Sequence, residues 1–317
     1  MNFNFFENRS IEMKKVVVIL FVMFLISACG EGVVEVENKS YQPKISIDGF
    51  LHPGKKVERI HIFRNFKLGE NITADKIFFD PAKTIVKIID EESGTPYTLT
   101  LNQNPDTTDL EDYYYEYNGN DLVIDYGKSY TLDVTTEADG KQLSTTSTTT
   151  IPNAGFHIAG INTTSMQFAQ QEPGGDFATF QIEIERAPGT NFYVAATRPL
   201  DMRFENFITN HLFGELTRED FDEDLDDYDS AEDWIQNTPL TSGTSTLNIF
   251  MFDLFFYSEY RVIVFAADDN YREYLQTFNS TQEPDGNFHA ARFNFEGDGI
   301  GVFGSVVTDT IYFEVTR

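Results

Sequence analysis

The chain is short of sulfur, of positive charge and of long apolar runs. One cysteine, Cys29, occurs in 317 residues. That excludes an internal disulfide framework and a cysteine-built metal centre. Lys and Arg total 23 against 51 Asp and Glu, a formal charge of −28. A field of that sign repels nucleic acid and anionic lipid head groups, so nucleic acid is set aside as a partner. The five histidines (His52, His61, His157, His211 and His289) are scattered, without HExxH spacing, and no GxSxG elbow occurs. No catalytic residue and no dissociable cofactor is assigned, and the reading is non-enzymatic. Carboxylates are so numerous that nothing selects one pair for a glycosidase-like hydrolase, the least favoured of three functional readings.

What the chain does have begins at Met13. Lys14 and Lys15 precede an apolar run, Val16 to Ile26, and then Ser27, Ala28 and Cys29. A charged start, a short apolar stretch and a small-residue cleavage site make a secretory signal. The run is about 11 residues, against roughly 20 for a spanning helix. Residues 1–12 are polar and unlike a signal, so translation starts at Met1 or at Met13. Ile26-Ser27-Ala28-Cys29 resembles the bacterial lipobox, in which the cysteine sulfur receives a diacylglyceryl group and the freed amine is acylated, for example with palmitate. Each buried CH₂ contributes about 0.8 kcal/mol and stable anchoring takes two or more chains. The expectation is therefore a signal peptide over 1–28 and a lipid anchor on Cys29. A flexible acidic tether over 29–43 follows.

The remaining chain is 41% hydrophobic and 15% aromatic, with 30 Phe and 15 Tyr, enough to build a large core rather than a disordered chain. Apolar and polar residues alternate in Lys44 to Phe50, Val57 to Phe63, Thr84 to Ile89, Tyr97 to Leu101 and Tyr113 to Tyr117. The same holds in Leu122 to Tyr126, Tyr130 to Thr135 and Gln142 to Thr150. Turns between them at Ser93-Gly94, Gly119-Asn120 and Asp139-Gly140 predict an immunoglobulin- or transthyretin-like antiparallel β-sandwich over 44–152. Ile151-Pro152-Asn153 marks the boundary to a second β-rich domain, 153–317. Its predicted strands are His157 to Phe168, Ala178 to Glu185, Phe192 to Thr197, Ser245 to Phe252, Tyr260 to Ala267, Ala291 to Phe295 and Thr310 to Val315. One or two short helices interrupt this mainly all-β chain. Ser230 to Asp233 is patterned as a capping box opening a helix around Trp234, and Asn270 to Thr277 carries Tyr271, Tyr274 and Leu275 at helical spacing.

Two motifs invite chemistry. Gly299-Ile300-Gly301-Val302-Phe303-Gly304 has the glycines of a phosphate loop, but a strand follows where a helix should open. Close strand contact or a bulge is the favoured role. The acidic loop 217–233 contains Asp222, Asp224 and Asp226, spaced like the start of an EF-hand. The turn glycine is replaced by Asp227 and the twelfth position is Asp233, so weak calcium binding there ranks below a solvated loop. Tyr113, Tyr114, Tyr115, Phe255, Phe256 and Tyr257 are read as core before sugar-stacking platforms.

Pro43 to Phe50 soon after the lipobox, Gly127 to Val134, the tyrosine-rich Asn270 to Thr277, and Asn294-Phe295-Glu296-Gly297 with the glycine run 299–304 come in a telling order. Together they resemble the Bacteroidota-type outer-membrane lipoproteins of unknown function often encoded beside TonB-dependent receptors. The acidic stretch after Thr217 departs from that pattern. The resemblance implies a lipid-anchored outer-membrane location, on the periplasmic or the cell-surface side. It also implies a binding or accessory role in nutrient uptake with a TonB-dependent receptor as partner, and it supplies no catalytic residues. A surface structural or adhesive module, calcium-assisted or not, is the alternative by analogy of fold.

Overall fold

Alternation of apolar and polar side chains becomes strand through most of the computed structural model. It describes residues 41–67, 72, 74–103, 112–171, 173–212, 214–223, 225–228, 231–236, 243–278 and 291–317. The expected signal, Cys29 and the tether to residue 40 lie outside them, and Pro43–Arg317 forms one unit. The first half supplies β1 (Ile45–Leu51), β2 (His61–Arg64), β3 (Ile85–Asp90), β4 (Thr95–Thr98), β5 (Thr100–Gln103), β6 (Tyr113–Glu116), β7 (Ser129–Ala138) and β8 (Lys141–Thr150). The second supplies β9 (His157–Ile161), β10 (Ser165–Gln167), β11 (Thr179–Glu185), β12 (Phe192–Pro199), β13 (Asn210–His211), β14 (Gly214–Glu215) and β15 (Ala231–Gln236). β16 (Thr244–Phe250), β17 (Glu259–Ala267), β18 (Glu296–Gly297) and β19 (Gly299–Thr316) complete it. The helices are α1 (Ala74–Ile77), α2 (Arg218–Glu223), α3 (Leu225–Tyr228) and α4 (Asp269–Phe278). The chain is mainly β and sandwich-like, as expected.

Two cores result. One sheet, β18-β8-β7-β3-β4, packs its inward residues Val86, Ile88, Leu132, Val134 and Leu143 against Ile45, Ile47 and Ile62 of β1 and β2. The other core lies between β16-β11-β9 and the strands β12, β17 and β19, where Phe180 stacks on Phe313 at 4.0 Å. The large sheet runs β15-β12-β17-β19-β1-β2, so β1 and β2 join strands of the second half. β19 is the shared member: Ile45 to Leu51 pair with its start in parallel, and β17 pairs antiparallel with its remainder. At about 3.3 Å per residue this strand spans nearly 60 Å.

The glycine run is part of β19 itself. A Cβ on Gly301, whose φ is +100°, would lie 2.1 Å from the Ile47 carbonyl oxygen, and one on Gly299 would lie 2.3 Å from Thr145 Oγ1. Glycine here serves close backbone approach, as its sequence context indicated.

Three buried tyrosines, each the second residue of a strand, fasten the preceding loop. Tyr130 Oη accepts from the Asp125 N–H and donates to the Val123 carbonyl. Tyr193 Oη accepts from the Ala187 N–H, and Tyr260 Oη accepts from the Phe256 N–H. The Tyr130 bonds explain why Leu122 to Tyr126, read as a strand, is a non-strand segment: its backbone groups are taken by a side chain. Ala291 to Phe295 is likewise not a strand, pairing resuming only at Glu296. The helix expected around Trp234 is instead β15, paired antiparallel along β12. An available sheet edge overrides a local capping pattern. The true capping box lies earlier, where Thr217 and Asp220 exchange bonds at the start of α2.

Gly301→Ala is expected to lower unfolding free energy by about 3 kcal/mol in urea titration, since strain and a backbone clash combine. Gly54→Ala, at φ +72° with nothing within 4 Å, should cost only about 1 kcal/mol. Equal losses would contradict the close-approach role.

Candidate functional site

The helix read at Asn270 to Thr277 is α4, and it lies across the outer face of the large sheet. Tyr271 and Leu275 pack on Phe192, Val194, Phe265 and Val306, and Tyr271 meets the Phe50 ring edge-on at 4.8 Å. Two clefts adjoin this helix. A polar one of about 400 Å³ at its N-terminus is lined by Thr148, Thr150, Asn153, Asn191, Asp268 and Asn294, among others. A mixed one of about 410 Å³ beside its body is lined by Ser46, Asp48, Tyr274, Phe278, Phe293 and Ile300, among others. Asn294 Nδ2 donates to Asn270 Oδ1, and Asn270 Nδ2 donates to the carbonyls of Thr148 and Phe303. This amide pair lines the polar cleft. Tyr274 stacks on Phe278, and burial, then the nearby Asp48 charge, raises its phenol above the ordinary value.

Asp268 is the buried charge of the polar cleft. It caps α4 by accepting from the Tyr271 N–H at 3.0 Å. Thr149 Oγ1 donates to Asp268 Oδ2 at 2.5 Å and lies 2.8 Å from Ser305 Oγ, which donates to the Thr150 carbonyl at 3.1 Å. Burial pushes the carboxyl up to about 6 from an ordinary 3.8, with donation from Thr149 and Tyr271 opposing it.

The residues singled out from sequence lie apart from these clefts. Asp222 sits on α2 with its carboxylate on Arg218 at 3.1 Å. Asp224 is outside the described residues, and Asp226 falls within α3. Within the stretch expected as an acidic loop, 217–233, lie α2, α3 and the start of β15. Among the described residues no three His, Cys, Asp or Glu gather as metal ligands. Of the six aromatics read as core, Tyr113, Tyr115 and Phe256 are buried, while Tyr114, Phe255 and Tyr257 are half-buried. His61 Nδ1 meets the Tyr113 carbonyl at 3.0 Å, while His211 stacks on Phe255 and is held below the ordinary imidazole range by burial. His289 is outside the described residues. Sequence reasoning missed Asp268, Thr149, Asn191 and Ser305. The one local signal was Asp268-Asp269-Asn270 at a helix start.

The Asp268 carboxyl binds its proton more tightly folded than unfolded. The stabilisation is therefore fully present below about pH 3.8 and lost as pH rises through about 6. Relative to Asp268→Asn, the wild type should gain about 2 kcal/mol between about pH 7.5 and about pH 4.5 in paired denaturant titrations. A flat difference would show that the folded carboxyl titrates normally.

No curated protein matches the chain. A DUF4785 family protein from Legionella pneumophila subsp. pneumophila str. Philadelphia 1 is 10% identical, with 70% of this chain and 51% of that one covered and a TM-score of 0.26. This chain thus spans about half that protein's length. A bacterial ice-binding adhesin described for host cell surface retention is 11% identical over 87% of this chain and 65% of its own, TM-score 0.21. Escherichia coli alpha-2-macroglobulin is 11% identical over 87% of this chain and 14% of its own, TM-score 0.24. Among the described residues, no helix is long and apolar enough to cross a membrane. A family model matches residues 32–311, and the chain belongs to the DUF4249 family, a domain of unknown function.

Proposed function

We propose that this protein is a lipid-anchored outer-membrane lipoprotein of Bacteroidota type, a non-enzymatic binding or accessory subunit beside a TonB-dependent nutrient transporter. The observation that carries the reading is Ile26-Ser27-Ala28-Cys29 directly after a short apolar run, with the only cysteine of the chain at the position a lipobox requires. Two or more acyl chains on that residue hold a protein at a membrane without a spanning helix. The acidic body disfavours contact with anionic head groups and leaves the lipid as the attachment. The paired clefts beside α4, each near 400 Å³, fall within the size range of small-ligand sites and support a binding role.

Expression in a lipoprotein-processing bacterium tests both halves. The mature protein should begin at Cys29, carry the mass of a diacylglyceryl group and an acyl chain, and enter the detergent phase on phase separation. Cys29→Ala should remain aqueous or keep its leader. Affinity capture of the tagged protein from solubilised outer membrane should bring down a receptor barrel. An unmodified thiol would remove the anchor, and capture without a barrel would remove the accessory role.

A further inference from the structure

The polar cleft at the start of α4 carries information about its ligand. Three of its amides are each fixed at one end by the protein. Asn153 Nδ2 donates to the Pro188 carbonyl at 2.8 Å, Asn191 Oδ1 accepts from Arg272 Nη1 at 3.2 Å, and Asn294 Nδ2 donates to Asn270 Oδ1. The other ends, Asn153 Oδ1, Asn191 Nδ2 and Asn294 Oδ1, have no protein partner among the described residues. Fixing one end orients the other, so the lining presents both acceptors and a donor at little entropic cost on binding. The backbone makes room for this. A Cβ on Gly127 would lie 2.7 Å from Asn153 Oδ1.

Charge narrows the class of ligand. An anion would meet Asp268 and Asp269 in a chain of net −28. A cation would find the Asp269 carboxylate already bridged by Arg272 at 2.7 Å and the Asp268 carboxyl taken by Thr149 and the Tyr271 N–H. An apolar ligand would strip water from the open amide ends and leave them unpaired. A neutral ligand dense in hydroxyls satisfies donors and acceptors together. Beside the body of α4, the second cleft presents the rings of Tyr274, Phe278 and Phe293.

We propose that the cleft at the α4 N-terminus binds a small neutral saccharide, its hydroxyls taken by the open ends of Asn153, Asn191 and Asn294. This names the ligand class of the binding role proposed above and rests on that reading.

The test is saturation-transfer NMR on the detergent-solubilised full chain. The probes are glucose, galactose, mannose, N-acetylglucosamine and maltose, with glucuronate and spermidine as charged controls. At least one neutral sugar should bind, and neither control should. Asn191→Asp keeps an acceptor for Arg272 but deletes the donor, so it should weaken the sugar by about tenfold, the value of roughly one hydrogen bond, with an unchanged melting curve. Asn153→Ala should weaken it similarly and guards against a special effect of the added charge. No binding by any of the five sugars, preferential binding of a control, or wild-type affinity in both variants would overturn the proposal. Receptor capture, read on the same preparations, separates the two readings: a retained barrel without sugar binding sinks the ligand class alone.

Discussion

The fold depends on how closely the backbone of β19 is approached in its first half. Gly299 and Gly301 leave no side chain between β19 and its neighbours, so Thr145 of β8 and the Ile47 carbonyl of β1 occupy that space. Phe303 can then enter the first core while Phe313 and Val315, further along the same strand, enter the second. A strand that must serve two cores cannot be displaced at one end without disturbing the other. This is why glycine is tolerated in a strand interior, where its entropy ordinarily weakens the element.

The same approach brings the inward hydroxyls of β8 against β19. Thr145, Ser147 and Thr149 are buried on a face where alternation alone would place apolar residues. Thr145 Oγ1 donates to the Glu296 carbonyl at 2.8 Å, and Thr149 meets Ser305 and Asp268. Asp268 thereby joins β8, β19 and α4 at one point. An ionised carboxylate there is costly, and the bonds donated by Thr149 and the Tyr271 N–H offset part of that cost, leaving the carboxyl raised to about 6.

Strand placement was largely legible from alternation, as in β3, β7, β11 and β17, and the Asp139-Gly140 turn, with both φ positive, has the form its residues indicate. The start of β19 was not, because a run of glycine breaks the period on which the reading relies. The tyrosine anchors went unseen because each bonds backbone rather than packing at a recognisable spacing. The clefts were beyond reach for a different reason. Asp268 and Thr149 are separated by 119 residues, and Thr149 and Ser305 by 156. Only the topology brings them together, whereas the acidic run, conspicuous in sequence, has its Asp222 tied to Arg218 one helical turn away.

The division of labour between charged and neutral polar groups follows from these placements. Ion pairs such as Lys141 and Lys44 with Asp298 sit where solvent reaches them, and salt screens such pairs. The joints that bind elements across long sequence distances, Asn270 to Thr148 and Phe303 and Thr149 to Asp268, and the local anchor of Tyr130 on Val123, rely on amides, hydroxyls and a carboxyl whose pKa burial raises. Their strength comes from geometry in a region of low dielectric rather than from net charge. A chain carrying 51 acidic residues can thus keep a strongly negative exterior while its internal junctions remain insensitive to ionic strength. Among those junctions, pH enters principally through Asp268, the group that links helix α4 to both sheets.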